Sequence, residues 1–203
     1  MAEAKKQTFN IDDIEESKSI IVPNPERKGN FAHCVAITFG RIGKEKEEGE
    51  EDDRLFGITF KFVEKDTEAI LDYVCFEPKL DEDDSQDPNK VSMYMNNLKR
   101  IKQMFNSFNK EGSIVLGVKD LSFEETYNLY MTKIDKDYSK ILCKLKVIYN
   151  KKGNVTLAMI GDVISTQYKK RAFAWNPKYD FVEMKGKAAD EFGGGSDDSD
   201  DDL

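Results

Sequence analysis

Three runs in the first half of the chain have the hydrophobic pattern of β-strands. They are FAHCVAITFGR, RLFGITFKFVE and AILDYVCFE, which begin at Phe31, Arg54 and Ala69. Each run is rich in β-branched and aromatic residues and is bounded by polar segments, as strands usually are. In the second run, large apolar residues recur at every other position, at Phe56, Ile58, Phe60 and Phe62. This alternation predicts a strand with one face in the core and the other in contact with solvent.

From Pro88 to Asn109 the spacing changes from that of a strand to that of a helix. Apolar residues follow one another at intervals of four, three, four and three, at Tyr94, Leu98, Ile101, Phe105 and Phe108. That spacing gathers them on one face of a helix. Basic residues fall on the rest of its surface, at Lys99, Arg100 and Lys102. A basic helical face of this kind is most often simply solvated, although it can also contact phosphates.

A second helix is predicted to start near Ser122, because Glu125 follows three residues later in a capping-box pattern. The tyrosine and threonine content of this stretch leaves a strand open as an alternative. Further along, residues 138–150 and 154–165 form two long strand patterns around the turn KKG, which predicts a β-hairpin. A shorter strand-like pattern, RAFAWNPKYDFVEM, follows from Arg171. Strands with a mid-chain helix predict a mainly β fold, a small antiparallel barrel with an inserted helix.

The chain divides into an N-terminal arm (1–30), one β domain (31–186) and a C-terminal tail (187–203). The tail ends in EFGGGSDDSDDDL, and such a segment cannot bury enough apolar surface to offset the entropy lost on ordering. We therefore expect the tail to be disordered. The longest apolar runs are far shorter than the roughly 20 residues that a membrane helix needs. The first residues also have no apolar signal core, so a cytoplasmic protein without membrane contact is expected.

The net charge of -8 is distributed unevenly along the chain. Acidic residues are concentrated in residues 45–53, 81–87 and 190–203, and the remainder of the chain is basic. A basic body with segregated acidic segments favours an anionic partner for the body and a separate role for the acidic segments.

The residues needed for common enzyme chemistry are mostly missing. The chain has one histidine, and it lacks the spacings of a P-loop, a nucleophile elbow and a zinc-protease helix. The three cysteines form no CxxC pair, which argues against a disulfide framework and a zinc ribbon. A metal site at His33 and Cys34 is disfavoured, because neighbours on a strand point to opposite faces. Asp83 and Asp84 are more simply solvated than bound to an ion. We expect neither enzyme activity nor a metal or cofactor.

Basic residues interleaved with aromatic ones are the clearest candidate for binding. Single-stranded nucleic acid offers base faces for stacking and phosphates that need positive charge. The candidate residues are Lys144, Lys146, Tyr149, Lys151, Lys152, Tyr168, Lys169, Lys170, Arg171, Phe173 and Trp175. Two lysines on one strand face, Lys144 and Lys146, are expected at the surface because like charges are rarely buried. For each aromatic residue, stacking on a base and packing in the core both stay open.

In organisation the sequence resembles the bacteriophage single-stranded DNA-binding proteins. The resemblance is carried by the FGGGSDDSDDDL ending, the order of elements between Phe31 and Ser165, and the KKRAFAWNPKYDF run before the tail. It implies an OB-fold that binds single-stranded DNA without sequence preference in phage replication, recombination and repair, in the host cytoplasm. It also implies that the acidic tail contacts replication proteins such as DNA polymerase and helicase. The tail residues concerned are Asp197, Asp198, Asp200, Asp201, Asp202 and Leu203.

The acidic segments 45–53 and 81–87 depart from that family pattern and favour an alternative function. An acidic interaction protein or chaperone would use them to hold basic partners. The tail itself can compete with nucleic acid for a positive groove by screened electrostatics. The sequence leaves open whether the nucleic acid is DNA or RNA and whether the chain forms a homo-oligomer.

Overall fold

The computed structural model describes residues 19–44, 52–81, 83–118 and 120–183. Within these ranges the chain forms seven strands and two α-helices. The strands are β1 (Asn30–Arg41), β2 (Phe56–Glu64), β3 (Ile70–Phe76), β4 (Leu142–Leu145), β5 (Val147–Tyr149), β6 (Val155–Leu157) and β7 (Ile164–Ser165). The helices are α1 (Pro88–Ser107) and α2 (Phe123–Lys133), with short 3-10 turns at Asp83–Gln86 and Tyr138–Lys140.

Five strands form one antiparallel sheet in the order β3, β2, β1, β4, β7, and β5 pairs with β6 in a second, two-stranded sheet. The prediction of a mainly β fold with inserted helices is therefore confirmed. Among the described strands, β3 and β7 are the two ends of the larger sheet, and they do not join to close a barrel. Residues just before β1 cover the start of β3, where the Ile21 amide donates to the Ile70 carbonyl.

The alternation predicted for β2 is confirmed. Ile58, Phe60 and Phe62 are fully buried, while Thr59 and Lys61 between them are half-buried. Both helices pack on the face of the sheet that these residues form, through edge and stacked ring contacts among Phe60, Phe105 and Tyr130. Aromatic burial of this kind contributes to the core beyond its area, by about 1 kcal/mol per pair. The opposite face of β1 carries Phe31 and Val35, which are 46% and 44% exposed.

Helix α1 begins where the sequence predicts it. The Asp87 side chain caps its N-terminus by accepting from the Asn89 amide, and Pro88 occupies the first turn, where its missing N–H costs nothing. The predicted apolar face is only partly buried, since Ile101, Phe105 and Phe108 lie in the core but Leu98 is exposed. The first half of α1 therefore runs along the surface, and its second half anchors it to the sheet.

The second predicted helix is also present, as α2. Ser122 accepts from the Glu125 amide and Glu125 accepts from the Ser122 amide, which is the capping box that the sequence indicates. The chain forms a helix here, so the strand alternative is wrong.

The predicted C-terminal hairpin is confirmed only over β5 and β6, which pair three residues each around a turn at Asn150–Gly153. Residues 154–165 form two short strands, β6 and β7, in different sheets, so the long strand expected after the turn is wrong. The expectation of one continuous strand before that turn is wrong. The chain bends at Lys146, whose amide donates to the Val163 carbonyl while its own carbonyl accepts from the Ala158 amide. These bonds end the ladder of β4 and start that of β5, so one run of sequence serves two sheets. Lys146, which is expected at the surface, is buried, and so is Ile148.

The strand pattern from Arg171 does not form a strand in the described residues. Its only ladder contact there is a bridge between Phe181 and Tyr149 of β5. A turn interrupts the run, because the Asn176 carbonyl accepts from the amides of Tyr179 and Asp180. Pro177 lies inside this turn and has no amide to donate to a ladder.

Several predictions fall on residues outside the described ranges. They are the first part of the N-terminal arm (1–18), most of the acidic segment 45–53, and the acidic tail with Asp197, Asp198, Asp200, Asp201, Asp202 and Leu203. Neither α-helix of the described chain combines the length and the apolar character that crossing a membrane requires.

Candidate nucleic-acid interface

A cleft of about 230 Å³ lies between the second half of α1 and the segment that follows β6. Its lining joins residues from distant parts of the chain: Lys99, Lys102, Gln103, Asn106, Ser107, Ser113, Asp162, Ile164, Lys169 and Arg171. Four of these side chains are cationic and one is a carboxylate, so the cleft is positively charged overall. Amide and hydroxyl groups between the cations add hydrogen-bond donors, which suits an oxyanion such as a phosphate.

The one carboxylate in the cleft holds two of its neighbours in place. Asp162 Oδ1 accepts from Arg171 Nη1 at 2.9 Å and from Gln103 Nε2 at 2.9 Å. Arg171 keeps more than half of its side-chain surface exposed, and its guanidinium has five donors in total. Asp162 therefore fixes the direction of Arg171 and leaves it donors for a ligand.

Two hydroxyl groups set the position of the basic segment beside α1. Ser165 Oγ accepts from the Arg171 amide at 3.0 Å and donates to the Lys169 carbonyl at 2.9 Å, which closes a tight loop after β7. Thr166 Oγ1 donates to the Ser107 carbonyl at the end of α1, at 2.6 Å. The loop that carries Lys169 and Arg171 is thus tied directly to the helix that carries the other two cations.

An aromatic and basic cluster lies beyond the cleft along the same segment. Lys144 of β4 places its ammonium 5.4 Å from the ring centre of Phe173. Lys144 is also the direct ladder partner of Phe31 on β1, so these side chains share the face that the helices leave uncovered. Gly29 lies next to them, since a Cβ at Gly29 would come within 3.1 Å of the Phe173 ring and 3.2 Å of Lys144 Cε. Phe31 offers the exposed ring here, and a ring beside a cation suits a stacked base with its phosphate.

The placement of Lys146 at the surface is wrong. Its side chain is buried, with the ammonium 2.6 Å from Asp180 Oδ2, 2.7 Å from the Ala174 carbonyl and 5.2 Å from the ring centre of Trp175. Lys144 lies on β4, whereas Lys146 lies just after that strand and is covered by residues 174–180. A buried carboxylate neutralises the ammonium, which is the condition under which a lysine can leave water. Lys146 is therefore not available to a phosphate.

Trp175 and Tyr168 are both engaged by the protein itself. Trp175 is half-buried against the core and has the Lys146 ammonium over its ring. Tyr168 donates from its hydroxyl to Asp135 Oδ2 at 2.7 Å, and Lys110 lies over its ring at 5.7 Å. Each of these rings thus has protein contacts that a stacked base would have to share or replace.

The remaining candidates lie at the hairpin or at the rim. Lys151 and Lys152 are exposed in the β5–β6 turn, which Asn150 stabilises by accepting from two amides, and Tyr149 is half-buried at its base. Lys170 is exposed but does not line the cleft. The structure thus brings together Lys169 with Arg171, and Lys144 with Phe173, and it leaves Lys151 and Lys152 on a separate turn.

Three residues join the candidate site that the sequence does not single out. Lys99 and Lys102 show in the sequence only as part of a basic helical surface, and nothing local indicates that Arg171 lies across from them. Phe31 is different, because the alternation in FAHCVAITF already separates Phe31, His33 and Val35 from the buried Ala32 and Cys34. Strand periodicity alone could therefore have identified Phe31 as an exposed ring.

Thiol and metal chemistry find little support in the described part of the chain. Cys34, Cys75 and Cys143 are all buried. Burial raises the pKa of the Cys75 and Cys143 thiols to about 12 and that of Cys34 well above its usual value, so they stay protonated. No three His, Cys, Asp or Glu side chains within those ranges meet as a metal-ligand group.

Comparison with known proteins assigns no family to this chain: no protein-family model matches it, and neither the curated proteins nor the solved structures give a match.

Proposed function

We propose that this protein binds single-stranded DNA without sequence preference and catalyses no reaction. The observation that carries the proposal is the cleft in which Lys99 and Lys102 of α1 face Lys169 and Arg171. Four cations in one cleft attract a polyanion, and backbone contacts of this kind carry no base preference.

Aromatic residues that could stack on bases lie next to the cationic cleft. From Arg171 the chain leads in two residues to Phe173, which lies over Lys144, and Lys144 is paired with the exposed Phe31. A strand whose phosphates occupy the cleft can place a neighbouring base against Phe31. Stacking on aromatic rings tolerates every base, which fits sequence-independent binding.

An OB-fold-like architecture is part of the proposal. The order of three strands, two helices and a return strand on β1 supports it, as does the bent β4–β5 segment. Strand β6 lies near β3, since Thr156 and Leu157 line one groove of about 610 Å³ together with Tyr73 and Phe76. The described strands leave this side unpaired, so the proposed barrel is an open one.

By the same resemblance, we propose roles in phage DNA replication and recombination. The acidic tail, with Leu203 after Asp200, Asp201 and Asp202, would recruit replication proteins such as polymerase and helicase. It would also compete with DNA for the positive cleft, which raises selectivity for long strands of high phosphate density.

The test is a fluorescence-anisotropy titration of labelled oligo-dT at several salt concentrations. We expect binding that weakens with salt, and the Lys99→Ala and Lys102→Ala variants should each flatten the logarithmic salt slope by about 0.7. The control is Lys140→Ala, which removes a 77% exposed lysine that pairs with Asp137 and does not line the cleft.

Truncation after Ala189 adds a second measurement. Tighter binding by the shortened chain would support competition by the tail. Absence of binding by both forms at low salt would overturn the proposed function, and binding to polylysine in its place would favour the acidic chaperone.

A further inference from the structure

Lys146 and Asp180 form an ion pair in which both side chains are almost completely buried, at 2% and 1% exposure. Asp180 Oδ2 accepts from the ammonium and also from the Asn176 amide at 2.6 Å. The same ammonium donates to the Ala174 carbonyl at 2.7 Å. The pair therefore joins the bend between β4 and β5 to both ends of the segment 174–180.

The backbone of Lys146 is held as firmly as its side chain. Its amide donates to the carbonyl of Val163, just before β7, and its carbonyl accepts from the amide of Ala158, just after β6. The backbone of Lys146 therefore directs its side chain towards Asp180. On the other side, the turn at Asn176 fixes Asp180 by accepting from its amide at 2.8 Å. Two rigid elements thus meet at one contact.

Two lysine and aromatic pairs run in register across this contact. Lys144 lies over Phe173, and Lys146 lies over Trp175. The two lysines are two positions apart in the sequence, and so are the two aromatic residues. Residues 173–175 therefore lie alongside residues 144–146. A shift of this segment would displace Phe173 from Lys144, and Arg171 is only two residues before Phe173.

A buried ion pair is weak as a source of stability, because the loss of hydration offsets most of the attraction. It is strong as a determinant of position, because each charge is costly wherever it lacks its partner. From these contacts we infer that Lys146 and Asp180 are positioning residues for the DNA-binding segment 169–175. The inference rests on the proposed function for its effect on DNA, and on the structure alone for its effect on the segment.

The experiment uses the full chain with both charges replaced by apolar side chains, Lys146→Met together with Asp180→Leu, which leaves no unpaired charge. A matched control is Lys140→Met together with Asp137→Leu, an ion pair at the surface. Three properties are measured in each protein. They are the rate of trypsin cleavage after Lys169, Lys170 and Arg171, the emission of Trp175, which is the only tryptophan of the chain, and the affinity for oligo-dT.

We expect the doubly substituted protein to retain its far-UV circular dichroism. Its segment should be cleaved several-fold faster and Trp175 emission should shift to longer wavelength. Affinity for oligo-dT should fall about tenfold, the equivalent of one lost stacking contact. The control pair should change none of these properties.

A folded variant with unchanged cleavage, emission and affinity would overturn the inference. So would a loss of affinity with unchanged cleavage and emission, because Lys146 would then act on DNA directly. If the unaltered protein does not bind oligo-dT, the proposed function fails, while cleavage and emission still decide whether the pair positions the segment.

If the double variant does not fold, amide hydrogen exchange of the unaltered protein tests whether residues 174–180 are held in place. The amides of Asn176, Tyr179 and Asp180 have acceptors within residues 174–180 and should be protected as strongly as those of β4. Fast exchange at these amides would show that the segment is not held, against the inference.

Discussion

Phe31 lies directly opposite Lys144 in the antiparallel ladder between β1 and β4, with its ring almost half exposed. Replacement of Phe31 by alanine should weaken binding to oligo-dT by about 1–3 kcal/mol, the usual contribution of one stacked base. Thermal stability should change little, because the Phe31 ring makes few contacts with the core that its removal would break. Val35→Ala is the matched control, since Val35 is equally exposed on the same strand and is aliphatic. Equal effects of the two changes on affinity would contradict a stacking role.

Gly29 has a positive φ of +84° and close neighbours around the position of a side chain. A Cβ there would come within 2.8 Å of the Leu145 carbonyl and 3.1 Å of the Phe173 ring. Gly29→Ala should therefore lower the free energy of unfolding by more than about 1 kcal/mol. It should also weaken DNA binding by displacing Phe173.

The lower free energy of unfolding expected for Gly29→Ala has two causes, backbone strain at positive φ and close contacts of the added Cβ. The Gly117→Ala variant separates them. Gly117 has a similar φ of +70° but nothing within 4 Å of the added atom, so it experiences only the backbone strain. Chemical denaturation of both variants measures the difference. A loss in Gly117→Ala as large as that in Gly29→Ala would show that the contacts with Leu145 and Phe173 do not matter.

Asp135 joins Lys110, which follows the end of α1, to Tyr168, and its carboxylate has three contacts in all. Its carboxylate accepts from Lys110 Nζ at 2.8 Å, from the Asp137 amide at 3.0 Å and from the Tyr168 hydroxyl at 2.7 Å. The hydrogen bond from Lys110 is the main cause that holds the pKa of this carboxyl well below its usual range. The folded state thus gains stability above the unfolded pKa, near 4, and loses it as the pH falls through the folded pKa.

Asp135→Asn should accordingly lower the melting temperature at pH 7 and lower it less as the pH is reduced towards 2. Scanning calorimetry from pH 7 to pH 2 measures this difference. Asp137→Asn, which alters a mostly exposed carboxylate paired with Lys140, serves as the control. A constant difference between Asp135→Asn and the unaltered protein at every pH would contradict the linkage.

The three thiols should be almost inert in the folded protein. Cys75 and Cys143 have pKa values of about 12 through burial, and a protonated, buried thiol is a poor nucleophile. At pH 8 we expect the thiols of the native protein to react slowly with a disulfide reagent. After denaturation in guanidinium, all three cysteines of the chain should react rapidly. Fast reaction of even one thiol in the native protein would show that its site opens.

Much of the fold follows from local pattern. The strands β1 to β3, the start of α1 and the capping box of α2 were all predictable, because each depends on spacing within about ten residues. Alternation in β2 identifies Phe60 and Phe62 as core, and the Asp87 cap with Pro88 marks the start of a helix. Element type and position needed no knowledge of distant contacts.

What the sequence could not provide depends on partners far along the chain. Lys146 was expected at the surface because the residue that neutralises it, Asp180, is separated from it by a hairpin and a turn. The cleft was missed for the same reason, since Lys102 and Arg171 meet only through tertiary packing. Local hydrophobicity describes a residue's own preference, whereas burial of a charge is decided by its partner.

Arg100 has a mechanical consequence for the cleft. Its guanidinium donates to the carbonyls of Ala158 and Met159 beyond β6, at 3.0 and 2.7 Å, so the middle of α1 is fastened to the second sheet. Lys99 and Lys102 lie on either side of this fastening. Under the proposed function, tension on a bound strand would act on these two lysines, and α1 would pass it to the segment after β6 through Arg100 and to β2 through Phe105. The load would then be shared between two parts of the fold.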